Sequence, residues 1–473
     1  LAMLGGNPVY DAPVDLKFAD ALAKVGFSMH VSLYRDETSL ASTVHVPASH
    51  YLESWGDSRR WDGTIAVVQP LIRPLYDSRT KSEALAAITT GKPGDDKARL
   101  GTTIEEAFKP AQPVETDAEA TAEVTDEAAA GAPATTTEDP ELKALKLLNG
   151  DERRWRKVVH RGIIDGTAYP VLDTTVQPFS VSNWNKTTVK ASGNLANGEF
   201  EVVFFEDGKV HDGRFANNGW LQETPDGITK LTWDNAALVS PKTARKLGLV
   251  EEDVISVKVG KESIEAAVSV LPGQPTGTVA LAFGYGRTES GVVGGSKVKG
   301  IASPGVNVFD IRTADDQWHR QGVTIEKTGK SYPLAGVQDH HAIDKTGMEE
   351  RERRAVTFIR EMDLETYKKN PATANEKYDT FPKHKLLSLF DQHKYEGHKW
   401  GMSIDLTSCT GCNACVVACT AENNIPVVGK DQVKKGREMH WMRIDRYFVG
   451  DEESPEILSQ PLGCVQCQNA PCE

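Results

Sequence analysis

Residues 408–423 read SCTGCNACVVACTAEN and place Cys409, Cys412, Cys415 and Cys419 within eleven positions, in a chain whose first 408 residues contain no cysteine. Three more follow in CVQCQNAPC, at Cys464, Cys467 and Cys472. A disulfide framework would spread its cysteines to close long loops, since closing short ones gains little. Zinc sites use two knuckles separated by a longer span. The run C-x2-C-x2-C-x3-C instead fits thiolates on one tight loop that cover an iron–sulfur cubane. The second run, C-x2-C-x4-C, is less specific alone, because zinc ribbons also begin with C-x2-C. Seven is an odd count where a cubane takes four protein thiolates, so an eighth cysteine is expected just beyond Glu473.

Composition frames this motif. With 473 residues, 39% hydrophobic and 26% charged, the chain is globular on average and long enough for several cores. No uninterrupted apolar stretch approaches the roughly 18 residues of a membrane-spanning helix. The net charge of −13 is concentrated in one place. Between Lys109 and Lys143 stand Glu115, Asp117, Glu119, Glu123, Asp126, Glu127, Glu138, Asp139 and Glu141, with no basic residue among them. This Ala-, Thr- and Pro-rich segment has almost nothing to bury and is expected to be a disordered insertion. No basic patch with interleaved aromatics is present, so nucleic acid is not an expected partner. The chain opens LAMLGGNPVYDAP and stops at NAPCE, which reads as a piece of a longer protein whose targeting signal would lie upstream of residue 1.

On either side of the insertion the pattern changes. Residues 1–90 alternate helical spacing (FADALAKVG) with strand alternation (FSMHVSLY, TVHVPASHYLE), which predicts an α/β layer. After it, EFEVVFFEDGKVHDG predicts a strand, an Asp-Gly turn and a second strand. VISVKVGKESIEAAVSVLPG predicts a hairpin around Gly260, and GTVALAFGYG a further strand, so a barrel is expected. One helix interrupts it, SPKTARKLGL, with Ser240 as N-cap, Pro241 at the first position and Gly248 near the end. The fold class is therefore multidomain α/β plus β. The expected regions are 1–100 α/β, 101–150 insertion, 151–335 barrel, 336–397 connecting arm and 398–473 iron–sulfur domain.

These residues carry a family resemblance. GGNPVYDAP, RDETSLASTVHVPASHYLESWGD and QPLIRPLYDSRTKSEALA resemble the large subunit of molybdopterin oxidoreductases, and LTWDNAALVSPKTARKLGLVEEDVISVKV resembles that family's C-terminal β-barrel. HKWGMSIDLTSCTGCNACVVACTAENNIP, HWMRIDRYFVG and PLGCVQCQNAPCE resemble the ferredoxin-like electron-transfer subunits that accompany it. The fusion of both on one chain is similar to the iron–sulfur subunit of bacterial alternative complex III, a quinol:cytochrome c oxidoreductase.

That resemblance implies several [4Fe-4S] clusters in the complete protein and allows one [3Fe-4S]. It also implies a molybdopterin-like half without molybdopterin, an integral membrane quinol-interacting subunit and multihaem cytochrome c subunits as partners, and a place on the periplasmic face of the inner membrane. It implies that the fourth cysteine of the run, Cys419, serves a different cluster from Cys409, Cys412 and Cys415. Thr420 stands where small ferredoxins have Pro. The competing expectation is a catalytic molybdenum bis-pterin oxidoreductase with a fused iron–sulfur arm, whose active-site ligand would precede residue 1.

Other residues admit two readings. GYGRTESGVVGG does not match a nucleotide-binding glycine loop and is expected to be a barrel turn. His340 and His341 could bind metal but are expected to be solvated. His440, Trp441 and Tyr447 could tune a cluster through hydrogen bonds, against plain strand packing. Asn217, Asn218 and Trp220 would line a pterin site if the cofactor were present, against a structural turn. No catalytic acid, base or nucleophile is expected, and helix is expected to begin at VVA after Cys415, leaving that cysteine on the loop.

Overall fold

The computed structural model describes residues 1–90, 152–172, 200–338, 362–372, 396–398 and 401–464. The acidic insertion, His340, His341, Cys467 and Cys472 lie outside the described residues. The chain divides into two units, one of Leu1–Gly6 and Leu22–Thr188, the other of Asn7–Ala21 and Val189–Glu473.

In the first unit, β1 (Ala2–Met3), β2 (Met29–Ser32) and β3 (Val44–Pro47) form a parallel sheet in that order. Parallel strands need crossovers, and the short helix Glu37–Ala41 supplies one, capped by Asp36, whose carboxylate accepts the Ser39 N–H. Buried His30 is satisfied on both ring nitrogens, by the Ser39 hydroxyl at 2.8 Å and the Gly6 carbonyl at 3.0 Å. A second sheet holds β4 (Gly56–Arg59), β5 (Ile65–Val68) and β6 (Ile163–Ile164). Because β6 pairs with β5, residues on both sides of the insertion share this sheet.

The second unit is built on a closed six-stranded barrel. Its strands are β7 (Phe200–Phe205), β9 (Ala237–Val239), β10 (Asp253–Val259), β11 (Glu262–Val270), β12 (Thr278–Ala282) and β15 (His319–Ser331). Around the barrel they follow the order β10–β11–β9–β12–β7–β15. Alternation puts Phe200, Val202 and Phe204 of β7, and Ile255, Val257 and Val259 of β10, into one buried core. The helix Pro241–Leu247 has Ser240 capping the Thr243 N–H at 3.0 Å, and it ends at Gly248 in the left-handed conformation.

One expectation fails. Among the described residues, no strand follows β7 as a hairpin partner. The Asp207 carboxylate accepts the N–H groups of Lys209 and Val210 at 2.8 Å and curls the chain, so β7 pairs with β12 in parallel and with β15 instead. The glycine-rich stretch folds as a turn followed by the short ribbon β13 (Glu289–Gly291) and β14 (Gly295–Ser296). A Cβ on Gly286 would stand 2.1 Å from the Asn307 nitrogen, so close backbone approach accounts for that glycine.

Outside the barrel, β8 (Leu231–Thr232) pairs with β16 (Ala335–Gly336). The cysteine-bearing segment contributes the helix Ala414–Glu422 and an antiparallel hairpin of β17 (Met442–Val449) and β18 (Glu456–Gly463). Of the arm between barrel and cysteines, the described part holds the helix Leu364–Lys369, capped by Asp363.

Candidate metal centre and its seat on the barrel

The cysteine loop is shaped from its own residues. Asp405 accepts the Thr407 N–H at 3.0 Å and the Thr407 and Ser408 hydroxyls at 2.6 and 2.8 Å, which turns the chain toward Cys409. These bonds, the Thr407 hydroxyl foremost, hold the Asp405 carboxyl below the usual range. Gly411 (φ 70°) and Asn413 (φ 60°) both adopt left-handed backbone, so the loop doubles back twice within three residues. The helix then begins at Ala414, with the Val417 N–H bonded to the Asn413 carbonyl at 3.0 Å. Cys415 thus lies in the first helical turn and not on the loop where the sequence pattern placed it, because Asn413 has already turned the chain into register.

Cys415 and Cys419 are one turn apart on the same side of this helix, beside the buried pair Val416 and Thr420. Cys409 and Cys419 are half-buried, whereas Cys412, Cys415 and Cys464 are exposed, and all five are free thiols. The Cys412 thiol is held below its ordinary pKa by the Ala414 N–H and then by the Thr410 hydroxyl, which favours the thiolate that a metal requires. The Asn423 side-chain amide reaches the Cys419 sulfur at 3.5 Å. Cys464 closes the hairpin, its N–H donating to the Trp441 carbonyl at 2.9 Å.

Free thiols on a doubly left-handed loop are a donor set suited to an iron–sulfur group. Among the described residues, no three His, Cys, Asp or Glu side chains converge as ligands of a single ion.

The loop is seated on the barrel unit by buried polar contacts. The Asn413 amide donates to the Pro225 carbonyl at 2.7 Å. A Cβ on Gly227 would stand 3.0 Å from the Gly411 carbonyl oxygen, and one on Gly411 would stand 2.7 Å from the Ser459 hydroxyl, so both glycines permit close approach. Arg446 of β17, almost fully buried, donates from Nε to the Ile228 carbonyl at 2.6 Å. Residues 225–230 therefore form a strap across the cysteine loop. Asp226 holds the strap in shape, accepting N–H groups from Ile228 at 3.0 Å and Thr229 at 2.7 Å. Burial pushes its carboxyl up, but these bonds and the nearby Lys209 outweigh it and the pKa is lowered.

Farther along, the buried Glu223 carboxylate accepts the Val428 N–H at 3.1 Å and the Gly429 N–H at 2.7 Å, and Trp220 donates to the Ile425 carbonyl at 2.7 Å. Lys430 pairs with buried Asp234 at 2.6 Å and lies 4.0 Å from the Tyr332 ring centroid. At the hairpin tip, Arg245 bonds Glu452 and Lys242 pairs with Glu453 at 2.9 Å.

Several of the other residues singled out above have structural partners. Asn218 caps the helix Gly219–Glu223 through the Leu221 N–H at 3.2 Å, and Asn217 accepts the Val293 N–H at 3.0 Å. Tyr447 packs on Leu458. His440 precedes β17, and burial lowers its pKa against the pull of Glu223 and Glu438. Sequence reasoning missed the strap, Glu223 and Lys230. Pro225-Asp226-Gly227 was a legible turn signal, whereas nothing local marked the other two.

No family model matches the chain. The iron-sulfur cluster-binding subunit of menaquinone reductase from Nitratidesulfovibrio vulgaris is 42% identical over 88 residues, covering 18% of this chain and 32% of that protein. The molybdopterin-binding-like subunit of menaquinone reductase from the same organism is 28% identical over 332 residues, covering 68% of this chain and 40% of that protein. The iron-sulfur subunit 1 of an Hdr-like menaquinol oxidoreductase from Archaeoglobus fulgidus is 30% identical over 92 residues, covering 16% of this chain and 33% of its own length. The chain thus spans less than half the length of these curated relatives. Among solved structures, acetylene hydratase from Pelobacter acetylenicus superposes with a TM-score of 0.39 at 13% identity, over 69% of this chain and 44% of that one, too loosely to assign a fold. In sequence, the chain is similar to subunits of molybdopterin oxidoreductases, and it carries on one polypeptide likenesses that menaquinone reductase keeps on two.

Proposed function

We propose that this chain is an electron-transfer subunit of a membrane-associated respiratory oxidoreductase, with its cysteines as ligands of [4Fe-4S] clusters. The observation that carries the reading is the seat of the cysteine loop: free thiols on a loop that Asn413, Gly411 and Arg446 fix to the barrel unit through buried contacts. When bound, an iron–sulfur cubane supplies a one-electron carrier whose potential is set by charge, hydrogen bonds and solvent around its sulfurs.

Cys409, Cys412 and Cys415 would hold one such group, with Cys419 turned along the helix to a neighbouring one and Cys464, Cys467 and Cys472 contributing to a second set. The loop's backbone and the Asn413–Pro225 bond keep the thiolates in place. The strap packs closely on the loop where Gly227 meets Gly411.

Within that class we assign the chain to the alternative complex III type, passing electrons from an integral membrane quinol-interacting subunit to multihaem cytochromes at the periplasmic face. The molybdopterin-like part then acts as a scaffold without molybdopterin. Among the described residues, no helix is long and apolar enough to cross a membrane. The 28% likeness to a molybdopterin-binding-like subunit favours a second reading, a molybdenum enzyme with a fused iron–sulfur arm. Molybdenum content separates the two.

The electron-transfer reading is tested on the anaerobic full-length protein. Dithionite should bring up the electron paramagnetic resonance of reduced cubanes, and an oxidised c-type cytochrome should remove it. A spectrum unresponsive to dithionite would end this reading.

A further inference from the structure

Lys230 lies at the end of the strap, and its position is unusual in three ways. Its backbone is left-handed (φ 62°), which a lysine adopts only at a cost. Its side chain is 1% exposed. Its ammonium has no hydrogen-bond partner in the structure, although buried amines are normally paired. The charges around it are Arg446, Asp226, Asp445 and the thiol of Cys409, and burial with Arg446 lowers its pKa to about 8, which leaves it mostly protonated at neutral pH.

An unpaired buried cation is expensive to keep unless something anionic faces it. The neighbouring carboxylates have other bonds. Asp226 is engaged by Ile228 and Thr229, and Asp445 by Arg443 at 3.0 Å. Beyond them, Cys409 of the cysteine loop lies in its field, and the strap that ends in Lys230 touches that loop through Pro225 and Gly227.

We propose that Lys230 is a tuning residue for the iron–sulfur group held at Cys409, Cys412 and Cys415: its fixed positive charge, supplied by the molybdopterin-like half of the chain, makes that group easier to reduce. The inference rests on the cluster reading above. The step concerned is the gain of one electron at the thiolate loop, with no bond made or broken and no proton required. Lys230 stabilises the negative charge so added. The same strap that fixes the loop through Pro225, Gly227 and Ile228 carries the charge, so geometry and potential are set by one segment.

The test is a redox titration, with dithionite as reductant and electron paramagnetic resonance as readout, on the full-length protein and its Lys230→Met, Lys230→Gln and Lys230→Arg variants. Lys330→Gln serves as control, since Lys330 is exposed and paired with Glu265 at 2.7 Å. The expected result is that Met and Gln lower the midpoint of one cluster signal by at least tenfold in equilibrium constant, about 59 mV for one electron. Arg should restore it, and the other signals should not move. Three results would overturn the proposal: unchanged midpoints in Lys230→Gln, an equal shift in Lys330→Gln, or loss of the signal in Met and Gln with no midpoint difference wherever it survives. Absence of any cluster signal in the unaltered protein would instead overturn the cluster reading, and this inference with it.

Discussion

The side-chain amide of Asn413, inside the cysteine loop, donates to the main-chain carbonyl of Pro225, on the barrel unit's strap, at 2.7 Å. Asn413 therefore does two things, tolerating left-handed backbone and pinning the loop. The two can be separated. Asn413→Gly keeps the backbone and loses the pin, for about 1 kcal/mol. Asn413→Ala loses both, adding about 1–2 kcal/mol for a Cβ in that conformation. Denaturant unfolding, with iron release followed in parallel, should rank wild type above Gly and Gly above Ala. Equal stability of the Gly and Ala variants would show that backbone conformation there is unimportant.

Glu223 makes a second anchor. Its carboxylate is 2% exposed and collects the N–H groups of Val428 and Gly429. Glu223→Ala takes the acceptor from two half-buried donors and should cost about 1–3 kcal/mol, whereas Glu223→Gln retains an acceptor and should cost about half as much. Urea denaturation followed by tryptophan fluorescence reads this directly, since Trp220 lies in the same helix. An Ala variant as stable as wild type would remove Glu223 from the account of how the loop is seated.

Limited proteolysis should cut first within residues 111–141, whose composition offers almost nothing to bury. The two products should stay together, because β5 before the cut pairs with β6 after it. Size-exclusion chromatography of the nicked protein would show one peak. Separation of the fragments without denaturant would mean that this sheet does not hold them.

The helix places Cys419 four residues, about 6 Å along the axis, beyond Cys415. In two-cluster ferredoxins the fourth cysteine of such a run serves the other cluster. Cys412→Ala and Cys419→Ala in the full-length protein should therefore disturb different paramagnetic signals after reduction. If both variants lose the same signal and spare the same others, all four thiolates serve one cubane.

Much of this molecule was legible because it is local. Ser240, Pro241 and Gly248 bound their helix by rules that act within a few residues, and the hairpin turning at Gly260 follows from alternation alone. The strand expected after the Asp-Gly turn failed for an equally local reason, the Asp207 side chain competing for backbone N–H groups. Helix starting at Ala414 was missed because left-handed Asn413 is chosen partly by a partner 188 residues away. Lys230 is the extreme case. Nothing in GITKLTW distinguishes it from a surface lysine, and only the packing of the strap against the cysteine loop buries it.

The central claim is that the cysteines hold iron–sulfur clusters in a chain that transfers electrons without molybdenum chemistry. It is tested most directly by measuring iron, acid-labile sulfide, zinc and molybdenum together in the anaerobically purified full-length protein. The account predicts iron and sulfide in equal amounts, several of each per chain, with neither zinc nor molybdenum at stoichiometric level. Zinc without sulfide would contradict the cluster assignment, and stoichiometric molybdenum would contradict the scaffold role of the molybdopterin-like half.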